Sequence, residues 1–399
     1  MINQAPTKEL KRIKLEVRKM SLKNKKKPCR PFMYGMVIMS FILFMTLITF
    51  ADETKKTPLT LTEAVRIALE NGNDMKKALF ELKKSELTYQ QTKADLLLNP
   101  SILSELSNQT ALLVAQRNYE ITRSNQVQVV EEAYYNILKL QRLVALSQEN
   151  INRSQKQLEN VKAKYSLGMV AQIDVISAEY ELSKAQSDRL NAESNLQIAK
   201  MNFNQLLGRD LNILVELTTE LAFNPSVVDL KQSTDYALTH RLEIKKAEDE
   251  VALKTKEVQV NTNDYTPLLN QKKSQVDLEI SKVSLENIQN NILIELQQNY
   301  ESLKNTERNV PLQEKNLNKA NEYLKIAEAR FDAGAITSIE LIDARNDAYE
   351  AENAYLQAVF DYNVAMSKFY NSLGMSLEER MKAFPYDGTK PASQEQPTE

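Results

Sequence analysis

The glycines of this chain recur in a fixed pattern, and that pattern limits what the chain can fold into. Gly168 and Gly208 each lie 166 residues before a second glycine, Gly334 and Gly374. Only 7 glycines occur in 399 residues, whereas α/β enzymes use many glycines in tight turns and beside their ligands. A chain with so few turns has long elements. Two copies of one unit indicate a duplication rather than an open array of repeats.

The segments around the glycines match at the same offset. Residues 164–168 (KYSLG) align with residues 330–334 (RFDAG), and residues 173–176 (IDVI) align with residues 339–342 (IELI). The two copies therefore share their helices as well as their turns.

The positions of glycine and proline predict three helices in each copy. The first ends at Pro100, the second runs from there to Gly168 over roughly 65 residues, and the third returns along 173–207. The second copy repeats this order with turns at Pro267 and Gly334. Apolar residues and alanines spaced three and four apart along the returning helices form a coiled-coil stripe.

We therefore predict an all-α protein of long antiparallel coiled-coil helices in two tandem repeats. Helices this long and thin cannot bury a core alone, so their apolar stripes must be covered by one another and by neighbouring chains.

The chain holds one His and one Cys, which excludes a zinc site and a disulfide framework. We predict no enzyme, no catalytic residue, no metal and no cofactor. The predicted segments are a basic segment 1–31, an apolar segment 32–51, the first repeat 58–208, a linker 209–232 with room for one or two short strands, the second repeat 233–374, and a partly disordered tail 375–399.

The N-terminal charge pattern predicts export. Residues 1–31 carry eleven Lys or Arg against two Glu, a local charge of +9, and residues 32–50 carry no charge. A basic flank before an apolar run predicts a cytosolic N-terminus with the rest of the chain exported. Two alternatives stay open, a signal peptide cleaved after Ala51 and a retained membrane anchor at 32–50. In both, the basic segment sets the topology, and we predict no nucleic-acid partner.

Three sets of motifs resemble those of the TolC-type outer-membrane efflux ducts. They are the opening segment 58–71 (PLTLTEAVRIALEN), the hairpin turns at Gly168 and Gly334, and the endings at Gly208 and Gly374. The resemblance covers about residues 58–380. It implies a homotrimer whose helices form a hollow α-barrel, with a periplasmic adaptor at the tapered end and an inner-membrane exporter beyond it.

The resemblance also implies a gate at the second hairpin tip. In the family, acidic residues there hang into the constriction, and the matching positions are Glu340 and Asp343, with Asp174 at the equivalent point of the first tip. Threefold symmetry would bring six carboxylates from Glu340 and Asp343 together, which would raise each other's pKa and attract cations. The alternative is that these carboxylates only stabilise the starts of helices.

The tip loops are the implied adaptor contacts, although small apolar residues in a tight turn can also pack locally. The family tends to place a tyrosine and a basic residue where this chain has Phe331 and Ile336, so its polar latch is not expected here. The predicted adaptor-contacting residues are Gly168, Met169, Val170, Ala171, Gly334, Ala335 and Ile336.

The segments that correspond to the family's membrane strands do not read as strands in this chain. The family inserts two strands after the prolines that match Pro100 and Pro267, but the 33 or 34 positions between each proline and Tyr134 or Tyr300 have a helical pattern. A membrane strand needs about 9 to 11 residues with alternating faces. We predict that both hairpins are missing, leaving little or no β-barrel. The resemblance implies the outer membrane, and the missing hairpins leave anchoring through residues 32–50 at the outer face of the cytoplasmic membrane as the alternative.

Two functions fit these patterns. The first is a TolC-like efflux duct component that passes substrates through a helical tunnel with an adaptor and an exporter. The second is an envelope-spanning coiled-coil scaffold without a conducting lumen. Replacing Glu340 and Asp343 distinguishes them, because only a conduit should respond.

Overall fold

A computed structural model describes residues 59–217, 221–225, 227–375 and 379–380. The predictions for residues 1–31 and 32–51, and for nearly all of the tail, fall outside these ranges. Within them, no helix contains an apolar stretch long enough to cross a bilayer.

The described residues form eight helices and no named strand, which confirms the predicted all-α class. The third and fourth helices have 65 and 35 residues, and so do the seventh and eighth. A 65-residue helix is about 100 Å long. The helices are α1 (Leu61–Asn71), α2 (Asn73–Leu98), α3 (Ile102–Ser166), α4 (Gln172–Leu206), α5 (Leu230–His240), α6 (Leu242–Asn261), α7 (Leu268–Asp332) and α8 (Ser338–Ser372).

Pro100 and Pro267 both lie at the N-terminal ends of helices. The Ser101 hydroxyl accepts the Ser104 N–H at 3.3 Å and begins α3, and Pro267 is the N-cap residue of α7. A proline suits a helix start because its missing N–H has no partner there. Residues 102–134 and 268–300 are helical throughout, so the prediction that these segments lack strand hairpins is confirmed.

A joint interrupts the first helix of each copy. At Gly72, between α1 and α2, an added Cβ would lie 2.4 Å from the Ala68 carbonyl oxygen and 3.1 Å from that of Leu206 at the end of α4. In the second copy, Arg241 separates α5 from α6 and donates to the Ser372 carbonyl at 2.9 Å. The helix that the sequence predicts before Pro100 is therefore two helices, because it breaks where the returning helix ends.

Buried side chains form three separate clusters. The first lies between α1 and the middle of α3, around Tyr134, whose hydroxyl donates to the Leu59 carbonyl at 3.1 Å. The second joins α5, α7 and the end of α8 around Phe369. The third lies near the hairpin turns and draws from both copies, with Val161 and Phe331 almost fully buried. The third cluster thus packs the two long hairpins together near their turns.

The linker between the copies contains one isolated β-bridge in its described part. Leu59 pairs in parallel with Leu217, and the Leu59 N–H donates to the Glu216 carbonyl at 2.8 Å. The short strands for which the sequence leaves room are reduced to this bridge in the described part of 209–232.

Candidate functional site: the hairpin tips

The first hairpin tip joins α3 to α4 through residues 167–171. Gly168 has a φ of 75°, a left-handed conformation that costs other residues about 1–2 kcal/mol. The Gly168 N–H donates to the Tyr165 carbonyl and the Met169 N–H to the Lys164 carbonyl, both at 2.9 Å. These bonds satisfy carbonyls at the end of α3 that have no partner within the helix.

The second tip joins α7 to α8 and repeats this arrangement. Gly334 has a φ of 72°. Its N–H donates to the Phe331 carbonyl at 3.0 Å, and the Ala335 N–H donates to the Arg330 carbonyl at 2.8 Å. Both tips are therefore short turns of defined geometry.

Glu340 completes a capping box at the start of α8. Its carboxylate accepts the Thr337 N–H at 2.7 Å and the Thr337 hydroxyl at 2.9 Å, and the Glu340 N–H donates to the Thr337 hydroxyl oxygen at 3.2 Å. The bond from the Thr337 N–H contributes most to lowering the pKa of Glu340. Because the folded pKa is below the unfolded one, this contribution to stability is present above the unfolded pKa. It is lost as the pH falls through the lowered value.

The other two predicted gate carboxylates occupy different positions. Asp174 accepts the Ala171 N–H at 3.0 Å, which is half of a capping box because alanine has no side-chain oxygen. Asp343 is exposed and lies three residues after Glu340, on the same face of α8. The structure therefore brings Glu340 and Asp343 together on one helical face, while Asp174 lies on another helix. In the single chain Glu340 and Asp174 cap helices, and the gate stays a prediction.

The predicted adaptor contacts separate into exposed and packed residues. Met169 is exposed, as is its neighbour Leu167. Val170 and Ile336 are half-buried and pack against the third cluster. Gly168, Ala171, Gly334 and Ala335 are exposed.

A contact between the two tips was missed by the sequence analysis. The Lys164 ammonium lies 3.7 Å from the centre of the Phe331 ring and donates to the Phe331 carbonyl at 2.9 Å. Lys164 is on the first hairpin and Phe331 on the second, and no local pattern links residues so far apart in sequence. This contact ties the two hairpins together through one cation and one aromatic ring.

Replacing Lys164 with methionine should loosen the contact between the two tips. Methionine keeps the apolar stem but loses the charge, which removes about 1 kcal/mol of cation–π and hydrogen-bond energy. We expect hydrogen exchange in the peptides around 160–170 and 328–336 to rise about fivefold. Lys162→Met is the matched control, because the Lys162 amine pairs with Glu179 within the first hairpin at 2.8 Å. Equal exchange in both variants would contradict a tie between the hairpins.

The sequence matches a known family over each long helix and the helix that returns from it. Residues 106–209 and 269–375, more than half of the chain, fit the profile of the outer membrane efflux protein family. The chain belongs to this family. Outer membrane efflux proteins are channels and not enzymes, in agreement with the prediction that the chain has no catalytic role. The matched ranges end one residue beyond Gly208 and Gly374, the glycines that follow the returning helices.

A nodulation protein matches part of the chain. Nodulation protein T from Rhizobium leguminosarum bv. trifolii is 26% identical to the chain over 157 residues, which is 39% of this chain and 33% of that protein. The match thus spans about a third of the length of that relative.

Solved outer-membrane channels have the same fold. The outer-membrane channel OprN superposes with a TM-score of 0.69 at 14% identity, over 79% of this chain and 90% of OprN. The CmeC outer membrane channel of Campylobacter jejuni superposes with a TM-score of 0.67 at 14% identity, over 81% of this chain and 88% of CmeC. At such identities the likeness establishes the fold alone. The resemblance to TolC-type channels that the motifs predict is confirmed.

Proposed function

We propose that the chain is a duct component of an envelope export system. Three copies would assemble their paired hairpins into a hollow helical tube, with a periplasmic adaptor at the tips and an inner-membrane exporter beyond it. Membership of the efflux family supports this proposal, as do the duplicated 65- and 35-residue helices, which let few chains close a ring of many helices.

The observation that carries the proposal is a set of apolar stripes that the single chain leaves uncovered. On α4, Ile173, Ile176 and Tyr180 are more than half exposed, and their spacing of three and four residues places them on one helical face. On α7, the exposed residues Val276, Ile280 and Val283 follow the same spacing. Exposed apolar surfaces of this extent mark contacts with other proteins. Neighbouring copies of the chain would cover these stripes.

The proposed location is the cell envelope. The family name favours the outer membrane, and a retained anchor at residues 32–50 would instead hold the chain at the outer face of the cytoplasmic membrane. At the tips, the exposed residues Leu167 and Met169 offer the adaptor two apolar side chains beside a rigid turn.

The test of this function removes the charge of the proposed gate while keeping the helix start intact. In Glu340→Gln with Asp343→Asn, the glutamine retains an oxygen for the Thr337 N–H, as capping boxes allow. We expect the ratio of cationic to anionic dye efflux to fall about threefold or more in cells that carry these substitutions in the chain's own gene. Glu86→Gln with Asp95→Asn on α2 removes the same charge from exposed positions outside the tips. A scaffold without a lumen predicts unchanged efflux in both variants, and that result would contradict the proposal.

A further inference from the structure

The turns at Pro100 and Pro267 display large apolar side chains to solvent. Each turn contributes three of them, all about two-thirds exposed or more. Such a set is larger than the single exposed apolar residues that are normal on a protein surface. The exposed residues, which we call the proline-turn end, are Leu97 (83%), Leu98 (82%), Ile102 (70%), Tyr265 (97%), Leu268 (66%) and Leu269 (78%).

Both turns lie at the same end of the molecule. The Arg117 guanidinium of α3 pairs with Asp249 of α6, and the Lys246 amine donates to the Asn118 amide oxygen at 3.1 Å. Asp249 is about three turns before the end of α6, and Arg117 is about four turns after the start of α3. Since each helix rises about 5.4 Å per turn, the two proline turns stand at nearly the same height. The hairpin tips lie at the opposite ends of the 65-residue helices α3 and α7.

The same positions are apolar in both copies. Leu98 and Tyr265 lie two residues before their prolines, and Ile102 and Leu269 lie two residues after them. All four side chains are exposed. Four of the six exposed residues therefore belong to the duplicated pattern.

The turn at Pro267 holds its side chains in a fixed geometry. The Asn263 amide oxygen accepts the N–H groups of Tyr265 and Thr266 at 2.9 Å each. The Gln271 amide donates to the carbonyls of Asn263 and Thr266, also at 2.9 Å. The backbone of the turn is thus satisfied internally, while the Tyr265 ring is almost fully exposed.

We infer that the proline-turn end inserts its apolar side chains into the interfacial layer of a lipid bilayer. The exposure of these side chains favours a bilayer over a protein groove, because all six lie on two turns and are about two-thirds exposed or more. The chemistry agrees, since a tyrosine beside leucine and isoleucine is the composition found where a chain meets the headgroups and the upper acyl chains.

The charges near the turns predict which lipids suffice. Lys93, Lys272 and Lys273 lie within two helical turns of the prolines and can extend to the lipid phosphates. Asp95, Asp264 and Glu105 lie equally close and balance them. Because the net charge of the turn region is zero, binding should need no anionic lipid. Neutral phosphatidylcholine is therefore the probe.

The experiment uses tryptophan as a reporter, because the full chain contains none. Leu98→Trp and Tyr265→Trp place an indole at the proline-turn end, and Met169→Trp places one at the exposed first tip. Each full-length variant is mixed with phosphatidylcholine vesicles, with and without bromine on the acyl chains. We expect brominated lipid to quench about half of the indole emission at positions 98 and 265 and to leave position 169 nearly unchanged. Residues 32–50 are present in every variant, so any binding through them affects the control equally.

Three outcomes would overturn the inference. Quenching at none of the positions, or equal quenching at all three, would show that this end has no preference for lipid. Blue-shifted emission at position 265 before lipid is added would show that protein already covers the turn. A further variant tests the other exposed apolar residues of the proline-turn end. It combines Leu98→Ser, Ile102→Ser and Leu269→Ser with Tyr265→Trp. We expect most of the quenching to be lost while the helical circular dichroism is unchanged. The result is independent of dye efflux, so it stands or falls separately from the proposed duct.

Discussion

Replacing Gly208 with alanine is expected to lower the free energy of unfolding by about 4 kcal/mol. Gly208 has a φ of 66°, so any other residue there is strained. An added Cβ would also lie 2.0 Å from the carbonyl oxygen of Asn71 and 2.6 Å from its carbonyl carbon. These are backbone atoms of the joint between α1 and α2, so relief requires moving the end of α4 away from that joint.

Gly334→Ala is the matched control for the clash. Gly334 has nearly the same φ, 72°, but an added Cβ there meets no atom within 4 Å. Only the backbone strain remains, and we expect a loss of about 1–2 kcal/mol. Urea unfolding followed by circular dichroism at one fixed protein concentration measures both variants. Equal losses in the free energy of unfolding would show that Gly208 is required only for its backbone conformation. They would also show that the joint between α1 and α2 moves to accommodate the added Cβ at little energetic cost.

Replacing Glu131 with alanine should be nearly as damaging, at about 3–5 kcal/mol. The Glu131 carboxylate pairs with the Arg380 guanidinium at 2.6 Å, and both side chains are only 2% exposed. The Ser367 hydroxyl also donates to Glu131. The variant leaves the buried Arg380 cation without its carboxylate, and among the described residues its Nε and Nη1 atoms have no hydrogen-bond partner.

Two further variants separate the effect of the stranded charge from the general loss of a side chain. Glu131→Leu combined with Arg380→Met removes both charges, so it should recover much of the stability lost in Glu131→Ala. Glu179→Ala removes one partner of the exposed pair with Lys162 and should cost less than about 1 kcal/mol. The same urea unfolding measures all three. A loss for Glu131→Ala no greater than that for Glu179→Ala would contradict the buried pair.

The helices could be predicted because their signals are local. No glycine or proline occurs between Pro100 and Gly168, and that alone indicates one helix of the observed length. The left-handed turns at Gly168 and Gly334 were equally predictable, because glycine is the residue that adopts positive φ without strain. Glu340 follows Thr337 by three residues, the spacing of a capping box.

The long-range contacts within the chain could not be predicted, because their partners are far apart in sequence. Lys164 has no local signal that it reaches Phe331, and Glu131 resembles any helix-surface carboxylate until Arg380 packs against it. The close approach of Gly208 to Asn71 depends on where the end of α4 meets the first joint. Each of these contacts is set by how the helices pack, which periodicity within one helix does not specify.

End views of the purified full-length protein in the electron microscope test most directly whether the uncovered stripes of α4 and α7 are covered by sister chains around a lumen. We expect a ring with threefold symmetry and an open, solvent-filled centre. A single elongated chain, or a solid bundle with no central opening, would contradict it.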